Sequence, residues 1–268
     1  MYRGCRVAVV VPAFNEQRYI ARVVARMPAL VDDVIVVDDG SGDGTADAAR
    51  ACGRAGLVVL RHAHNRGVGA AIVAGYRAAL RGGADVVAVM AGDAQMDPAD
   101  LPRLLDPVAS GGADYAMGDR FTHPDCWRVM PLVRFVGGRV LTLLTRAVTG
   151  HWALNDSQCG YTAAHRRCLE AVRLERVWPR YGYPNDLLAR VKAAGLRVAD
   201  VTVRPIYEGA ESGIRPVLAA FSLSFVLARA WLHRLQGWWL RRGAASLARR
   251  ARAGALAERA SAAPAPRA

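Results

Sequence analysis

Two carboxylates and an amide crowd into Ala91-Gly92-Asp93-Ala94-Gln95-Met96-Asp97-Pro98, directly after an apolar run from Val86 to Met90. The run reads as a buried strand, and the polar group as the loop at its carboxyl end, where open α/β sheets bind ligands. Asp93 and Gln95 lie two residues apart, so an extended backbone presents both on one side, and both offer hard oxygen donors. That pair suits half of a site for Mg²⁺ or Mn²⁺ whose remaining ligands come from a diphosphate. Asp97 has a simpler task, because Asp followed by Pro opens a helix. A second acidic strand end occurs earlier, where Val34 to Val37 runs into Asp38-Asp39-Gly40-Ser41.

The elements that must position these groups alternate. Arg6 to Val11 reads as a strand that turns through Pro12-Ala13-Phe14-Asn15-Glu16 into a helix from about Gln17 to Met27. Val34 to Val37 leads to a helix through Arg50, Leu57 to Leu60 to an Ala-rich helix from Ala70 to Arg81, and Val86 to Met90 to a helix begun at Pro98. This spacing predicts an α/β fold built on a mostly parallel, doubly wound sheet with right-handed crossovers and flanking helices. Further on, Tyr115 to Met117 reads as a fifth strand and Pro131 to Val148 as a helix. Asn155 to Tyr161 leads into a short strand, the segment after Tyr181 opens a helix to Ala194, and Leu196 to Val203 is the last strand. The first turn lacks the Gly-x-Gly-x-x-Gly of a dinucleotide site, which disfavours a nicotinamide or flavin enzyme. Lys192 is the only lysine, so no phosphate-loop lysine is available.

A chain of 268 residues that is 53% hydrophobic can fill a large core. Its five cysteines lie far apart, which argues against a disulfide framework or a zinc site and for a reducing compartment. The amino-terminal residues run into a strand with no signal-peptide pattern, and no apolar run reaches the roughly 18 residues of a membrane span. The net charge of +13 is carried by arginine, and from Arg215 onward ten arginines face one acid, Glu258. In that region Val217 to Ala228 is apolar apart from two serines, and Trp231, Trp238 and Trp239 stand among Arg234, Arg241 and Arg242. Tryptophan and arginine at the margin of an apolar helix fit an anionic membrane surface rather than nucleic acid. The expected organisation is a catalytic domain over 1–215, a basic amphipathic extension over 216–260 and a disordered tail over 261–268.

Taken together, Val9-Val10-Val11-Pro12-Ala13-Phe14-Asn15-Glu16, Val36-Val37-Asp38-Asp39-Gly40-Ser41, the Asn65-to-Gly69 turn and the Asp93-to-Pro98 stretch resemble inverting glycosyltransferases of family two, with a GT-A fold. The likeness is to the dolichyl- or polyprenyl-phosphate mannose synthase branch and covers roughly Arg6 to Arg215. It implies that Pro12, Phe14, Glu16, Val37 and Asp39 hold the base and ribose of a UDP- or GDP-sugar, with Arg66 beside them. It assigns the metal to Asp93 and Gln95, although the family's Asp-x-Asp motif has Ala91 in its first position here. Arg120, in Gly118-Asp119-Arg120, and Arg134, in Met130-Pro131-Leu132-Val133-Arg134, resemble two arginines that face the acceptor lipid's phosphate, a role suited to a planar, permanently charged fork. Asp156 would lie near the reacting centre, Asp186 sits where relatives place an acid, and Ser212 with Arg215 resembles a phosphate-binding loop.

The implied reaction moves a hexose from a nucleotide-sugar to a polyprenyl phosphate with inversion, in cell-envelope glycan synthesis. A lipid phosphate is already anionic near neutral pH, its second pKa being about 6, so it needs no strong base. A sugar hydroxyl would need a carboxylate to take its proton, with Asp156 the first candidate and Asp186 the second. The alternatives are an enzyme acting on a glycan or small-molecule hydroxyl, and a low-turnover nucleotide-sugar-binding scaffold. The expected location is cytoplasmic and peripheral, on the inner face of the cytoplasmic membrane, compatible with a membrane-protein partner or a homo-oligomer.

Overall fold

In the computed structural model, which describes residues 1–207 and 225–232, the valine-rich first strand lies inside a seven-stranded sheet. Strands β1 (Val7–Ala13), β2 (Asp33–Asp38), β3 (Leu57–Arg61) and β4 (Val86–Val89) alternate with helices α1 (Ile20–Ala25), α2 (Thr45–Arg50) and α3 (Val68–Arg81). There follow α4 (Leu101–Ala109), β5 (Tyr115–Asp119), α5 (Cys126–Val129), α6 (Leu132–Thr149), β6 (Thr162–His165), α7 (Arg166–Ala171), α8 (Tyr183–Ala193) and β7 (Val198–Thr202). A last helix, α9, covers 225–232.

The strand order is β3-β2-β1-β4-β6-β5-β7. All neighbours are parallel except β6, which runs antiparallel to both β4 and β5. The sheet is thus mostly parallel, as expected, with one antiparallel strand, and the reason for that strand is positional. Thr162, the first residue of β6, pairs with Val89 and with Met117, so the chain enters β6 beside the carboxyl ends of β4 and β5 and can only run back down the sheet. The short helices α5 and α7 are also additions to the sequence reading.

Alternation along β1 divides the core. Val7, Val9 and Val11 pack with α1 and α4, whereas Ala8 and Val10 pack with α3 and α8. Both faces are covered, as a central parallel strand requires. Gly75 shows how close α3 comes: a Cβ there would lie 2.2 Å from Val10 Cγ1. Register then levels the strand ends, with Ala13 opposite Asp38 and Val10 opposite Val89. Phe14 to Glu16, Asp38 to Asp39 and Ala91 to Gln95 thus emerge along one edge of the sheet. Asn15 and Ala94 on that edge hold left-handed φ angles of 58° and 61°, a strain that non-glycine residues bear only where surroundings enforce it.

Helix α6 is amphipathic in the inverted sense. Its buried side chains are Thr142, Thr145 and Thr149. Leu132, Val133, Val136, Val140, Leu143 and Leu144 are 45–85% exposed. The threonines bond inward, Thr142 Oγ1 to Ser157 Oγ at 3.3 Å and Thr145 Oγ1 to Asn185 Oδ1 at 2.8 Å. Helix α9 lies within the expected extension; its Val226 and Ala230 are fully buried, Phe225 lies 5.1 Å from the ring of Trp178, and Arg229 pairs with Asp186 at 3.4 Å. Trp238, Trp239 and the 261–268 tail fall outside the described residues.

Strand β7 carries a titrating group. Burial, assisted by Asp119 and Asp156, pushes the Asp200 carboxyl up to about 6, against bonds from the Asn155 N–H and the charge of Arg146. A folded pKa above the unfolded one favours the protonated acid in the fold. Its stabilising effect is complete below the unfolded value of about 4 and is lost as pH rises through about 6. Asp200→Asn should therefore melt higher than the parent at about pH 8 and nearly equal to it at about pH 4. Thermal denaturation at the two pH values checks this; a difference that does not grow with pH contradicts the assignment.

Candidate functional site

Two clefts open along the strand-end edge and share the wall formed by Met96 and Gly160. One, of about 170 Å³, brings together Asp93, Gln95, Arg120, Arg204 and Tyr207. The other, of about 200 Å³, lies between Pro12, Ala91 and Val68 on one side and Tyr181 to Pro184 on the other. Its lining is mostly apolar, and the methyl of Ala91 stands there in place of a carboxylate.

Asp93 owes its position to the turn that follows β4. The Gln95 N–H donates to Asp93 Oδ1 at 3.0 Å, a local Asx bond that leaves Oδ2 uncommitted. Burial raises the Asp93 carboxyl above the usual range. Glu16 is pushed up to about 7, first by burial and then by the negative charge of Asp93 and Asp43. Among the described residues no basic side chain forms an ion pair with Asp93 or Glu16. A half-buried acidic pair without a counter-charge fits a cation. No three His, Cys, Asp or Glu residues converge on a metal position among the described residues. Asp93 and Gln95 therefore fit a divalent ion that takes its other oxygens from a ligand.

Asp39 is committed differently. It is 3% exposed, and both of its oxygens are occupied: the His62 Nδ1 lies 2.7 Å from Oδ1, the Arg66 N–H donates to Oδ1 at 3.0 Å and the Gly67 N–H to Oδ2 at 2.7 Å. It ties the end of β2 to the turn that opens α3. Gly67 takes φ +101°, and a Cβ there would sit 2.5 Å from the Pro179 carbonyl oxygen, which fixes glycine in this turn. The Arg66 side chain is exposed. Phe14 is 46% exposed, free to cover a flat ring, while Val37 is fully buried in the core, so its side chain does not reach the site. Ser212 and Arg215 lie outside the described residues.

Arg120 and Asp156 form one unit. Arg120 Nε and Nη2 donate to the two Asp156 oxygens at 2.7 and 3.1 Å, and the Gln158 N–H adds a bond at 3.1 Å. Asp156 is fully buried and has no lone pair aimed at an incoming hydroxyl that is not already contested. Asp186, also fully buried, accepts from the Trp178 N–H at 3.0 Å and from Arg190 Nε at 2.9 Å, and Arg229 of α9 lies 3.4 Å away. It lines neither cleft and fastens α8 and α9. Arg134, at the start of α6, is exposed and lies 5.2 Å over the ring of Tyr207. The structure thus joins Asp93, Gln95 and Arg120, brings Arg134 to them through Tyr207, and leaves Asp186 in the scaffold. Tyr207 and His62 were missed in the sequence; a lone aromatic after the last strand and a histidine after β3 carry no motif.

Residues 8–172 match the family profile described as Glycosyl transferase family 2. The chain is 33% identical to the polyprenol monophosphomannose synthase of Mycolicibacterium smegmatis, over 74% of this chain and 76% of that protein. It is 31% identical to the undecaprenyl-phosphate mannosyltransferase of Micrococcus luteus, over 74% and 82%. It is 27% identical to the UDP-N-acetylglucosamine--dolichyl-phosphate N-acetylglucosaminyltransferase of Methanococcus voltae, over 74% and 85%. Among solved structures, it matches glucosyl-3-phosphoglycerate synthase from Mycobacterium tuberculosis, in complex with Mn²⁺, UDP-glucose and phosphoglyceric acid. That match has a TM-score of 0.67 at 23% identity and covers 85% of this chain and 80% of that one. This likeness establishes the GT-A fold.

The Arg120–Asp156 pair distinguishes a scaffold carboxylate from a proton acceptor. Removing the charge of a buried, doubly bonded partner is expected to cost about 3 kcal/mol. Asp156→Asn should accordingly lower the unfolding free energy by that order, read from denaturant titration. Lost turnover with stability untouched would instead mark Asp156 as a base.

Proposed function

The chain belongs to glycosyl transferase family 2 and is a hexosyltransferase, and from that premise we propose that it moves a sugar from a nucleotide-sugar to a polyprenyl phosphate with inversion at the anomeric carbon. The observation that carries the reading is the cleft in which Asp93 and Gln95 face Arg120, with Arg134 adjacent and both candidate bases buried against arginines, Asp186 outside the cleft altogether. An acceptor that brings its own negative charge needs what this site offers, cationic donors, and makes no demand on a carboxylate base, which leaves Asp93 to the metal. Relatives whose names specify polyprenol, undecaprenyl and dolichyl phosphate support the acceptor class. A hydroxyl acceptor has no comparable support, because Asp156 and Asp186 are both held by arginines.

Roles follow from position. Phe14 and the Asp39-ordered turn from Arg66 to Val68 would hold the nucleotide, with Pro12 beneath it. Asp93 and Gln95 would hold Mg²⁺ or Mn²⁺ together with the diphosphate, and the ion, when bound, supplies positive charge where the leaving group becomes negative. Arg120 and Arg134 would orient the acceptor phosphate, and the Asp156 carboxylate fixes Arg120 for that task. The metal in the solved relative with Mn²⁺ and UDP-glucose supports this assignment.

A lipid acceptor requires a lipid surface. Among the described residues no helix is long and apolar enough to cross a membrane. The outward face of α6 supplies an alternative: six exposed aliphatic side chains, with Trp127 at 71% and Trp152 at 62% exposure beyond its two ends. Such a face would lie in the interface, with the Arg134 guanidinium at headgroup level. The basic segment after residue 232 would reinforce attachment.

Two outcomes are expected. Nucleoside diphosphate release from a panel of UDP- and GDP-sugars should depend on added polyprenyl phosphate and on a divalent ion, and Asp93→Asn should abolish it with the melting temperature retained. Release that persists in a chelator, or that ignores the lipid, sinks the respective part of the reading. Separately, Val136→Asp with Val140→Asp should lose co-sedimentation with anionic vesicles while its melting temperature and its activity on a short soluble acceptor persist. Unchanged sedimentation would remove α6 from the membrane contact.

A further inference from the structure

Arg120 has five N–H donors in a rigid fork. Asp156 takes one from Nε and one from Nη2, and a third, from Nη1, points at the Tyr207 hydroxyl oxygen at 3.4 Å. A phenol oxygen that accepts from a guanidinium turns its own O–H away from that donor. Tyr207 lines the cleft that holds Asp93, Gln95 and Arg120. Burial raises the Tyr207 phenol above its ordinary range, so it remains a donor at neutral pH. Its ring does separate work: the Arg134 guanidinium carbon lies 5.2 Å from the ring centroid, within cation–π range. The ring packs on the small apolar cluster of Phe121, Cys126 and Met130, which steadies it between the end of β5 and the start of α6.

We propose that Tyr207 is the third member of the acceptor-phosphate site: its hydroxyl donates to a phosphate oxygen while its ring holds Arg134 beside Arg120 as one cationic pair. The inference rests on the lipid-phosphate reading above and adds a residue to it. Arg134 comes from a solvent-facing helix and Arg120 from a buried strand end; without a shared partner they would present their charges independently. A phosphate monoester has three terminal oxygens, and the free N–H groups of Arg120, the guanidinium of Arg134 and the hydroxyl of Tyr207 offer a matching set of donors.

The test uses the full chain with a nucleotide-sugar donor, a divalent ion and farnesyl phosphate as a soluble acceptor. Tyr207→Phe keeps the ring and should raise the acceptor KM roughly tenfold, the scale of one hydrogen bond to a charged group, with the donor KM unchanged. Tyr207→Leu should raise it further, and adding Arg134→Ala to Tyr207→Leu should cost less than Arg134→Ala costs in the parent, because the ring no longer holds the arginine. Melting temperatures of both variants confirm folding, and Tyr207→Phe, which keeps the ring, carries the conclusion if Tyr207→Leu does not fold. An acceptor KM unmoved in Tyr207→Phe, equal rises in donor and acceptor KM, or full additivity of Tyr207→Leu with Arg134→Ala overturns the proposal. If the parent itself transfers nothing to farnesyl phosphate or to a longer polyprenyl phosphate, the lipid-phosphate reading fails first, and the assignment of Tyr207 with it.

Discussion

A carboxylate with no access to water must be answered by the protein around it, and Asp156 is answered more fully than any other group in the site. The Arg120 guanidinium grips it through two nitrogens, and the Gln158 N–H and the Arg120 N–H complete the set. Desolvating both charges is repaid only by such geometry, and the pair is costly to break from either side. Its consequence is positional. The end of β5 is tied to the loop before β6, that loop is tied through Ser157 to Thr142 of α6, and Arg120 is held where it lines the cleft. The side of the cleft proposed for the acceptor hangs on one ion pair.

The side proposed for the donor uses the same device and then departs from it. Asp39 spends both oxygens on His62 and the amides of Arg66 and Gly67, so it shapes the turn that opens α3. Asp93 accepts one amide, from Gln95, and among the described residues has no basic partner. Three carboxylates, two after strand ends and one in the loop before β6, thus divide by how much of their capacity the protein consumes. The two that are saturated build walls, and the one that is not, raised by burial and beside the negative charge of Glu16, keeps the capacity that the proposed cation and diphosphate would use. Ala91 agrees with this economy. A further carboxylate there would crowd Asp93 and Glu16; its methyl instead lines an apolar cleft beside Met96, whose sulfur accepts the Ala91 N–H at 3.2 Å.

Most of the sheet was legible because strand and helix periods differ and the strands end in recognisable chemistry. Val7 to Val11 could be nothing but a buried strand, and Asp97 bonds the Ala99 N–H as a cap, as Asp before Pro promised. The direction of β6 was not legible, since a four-residue strand looks the same read either way. Val37 was placed at the site because its neighbours belong there, although strand alternation turns its side chain into the core. Asp156 and Asp186 looked like proton acceptors for a related reason: a sequence shows a carboxylate but not the arginine that occupies it. Arg120 is 36 positions from Asp156, too far for any local pattern; Arg190 stands only four residues after Asp186 on α8, a spacing the sequence does show, while Arg229, the second arginine on that acid, is 43 away. Tyr207 was invisible because its importance lies in two arginines, one from the end of β5 and one from the start of α6.

Helix α6 resolves a conflict that composition alone could not. A helix in a water-soluble domain turns its aliphatic stripe inward, because each buried aliphatic side chain gains roughly 1.5–3 kcal/mol on leaving water. Here threonines point inward and six aliphatic side chains point out, an arrangement that forgoes that gain unless something other than water meets the outer face. The inward threonines are not wasted, since they hold Ser157 and Asn185 and so steady the loop that carries Asp156. The helix therefore serves two surfaces at once: its polar face braces the ion pair that aims Arg120, and its first turn carries Arg134 on the side that faces outward. If lipid covers the outer face, the phosphate of a membrane-resident acceptor arrives at the depth of Arg134 without leaving its bilayer. The polarity of one helix, inverted against the usual rule, then sets both where the enzyme sits and which end of the acceptor it can reach.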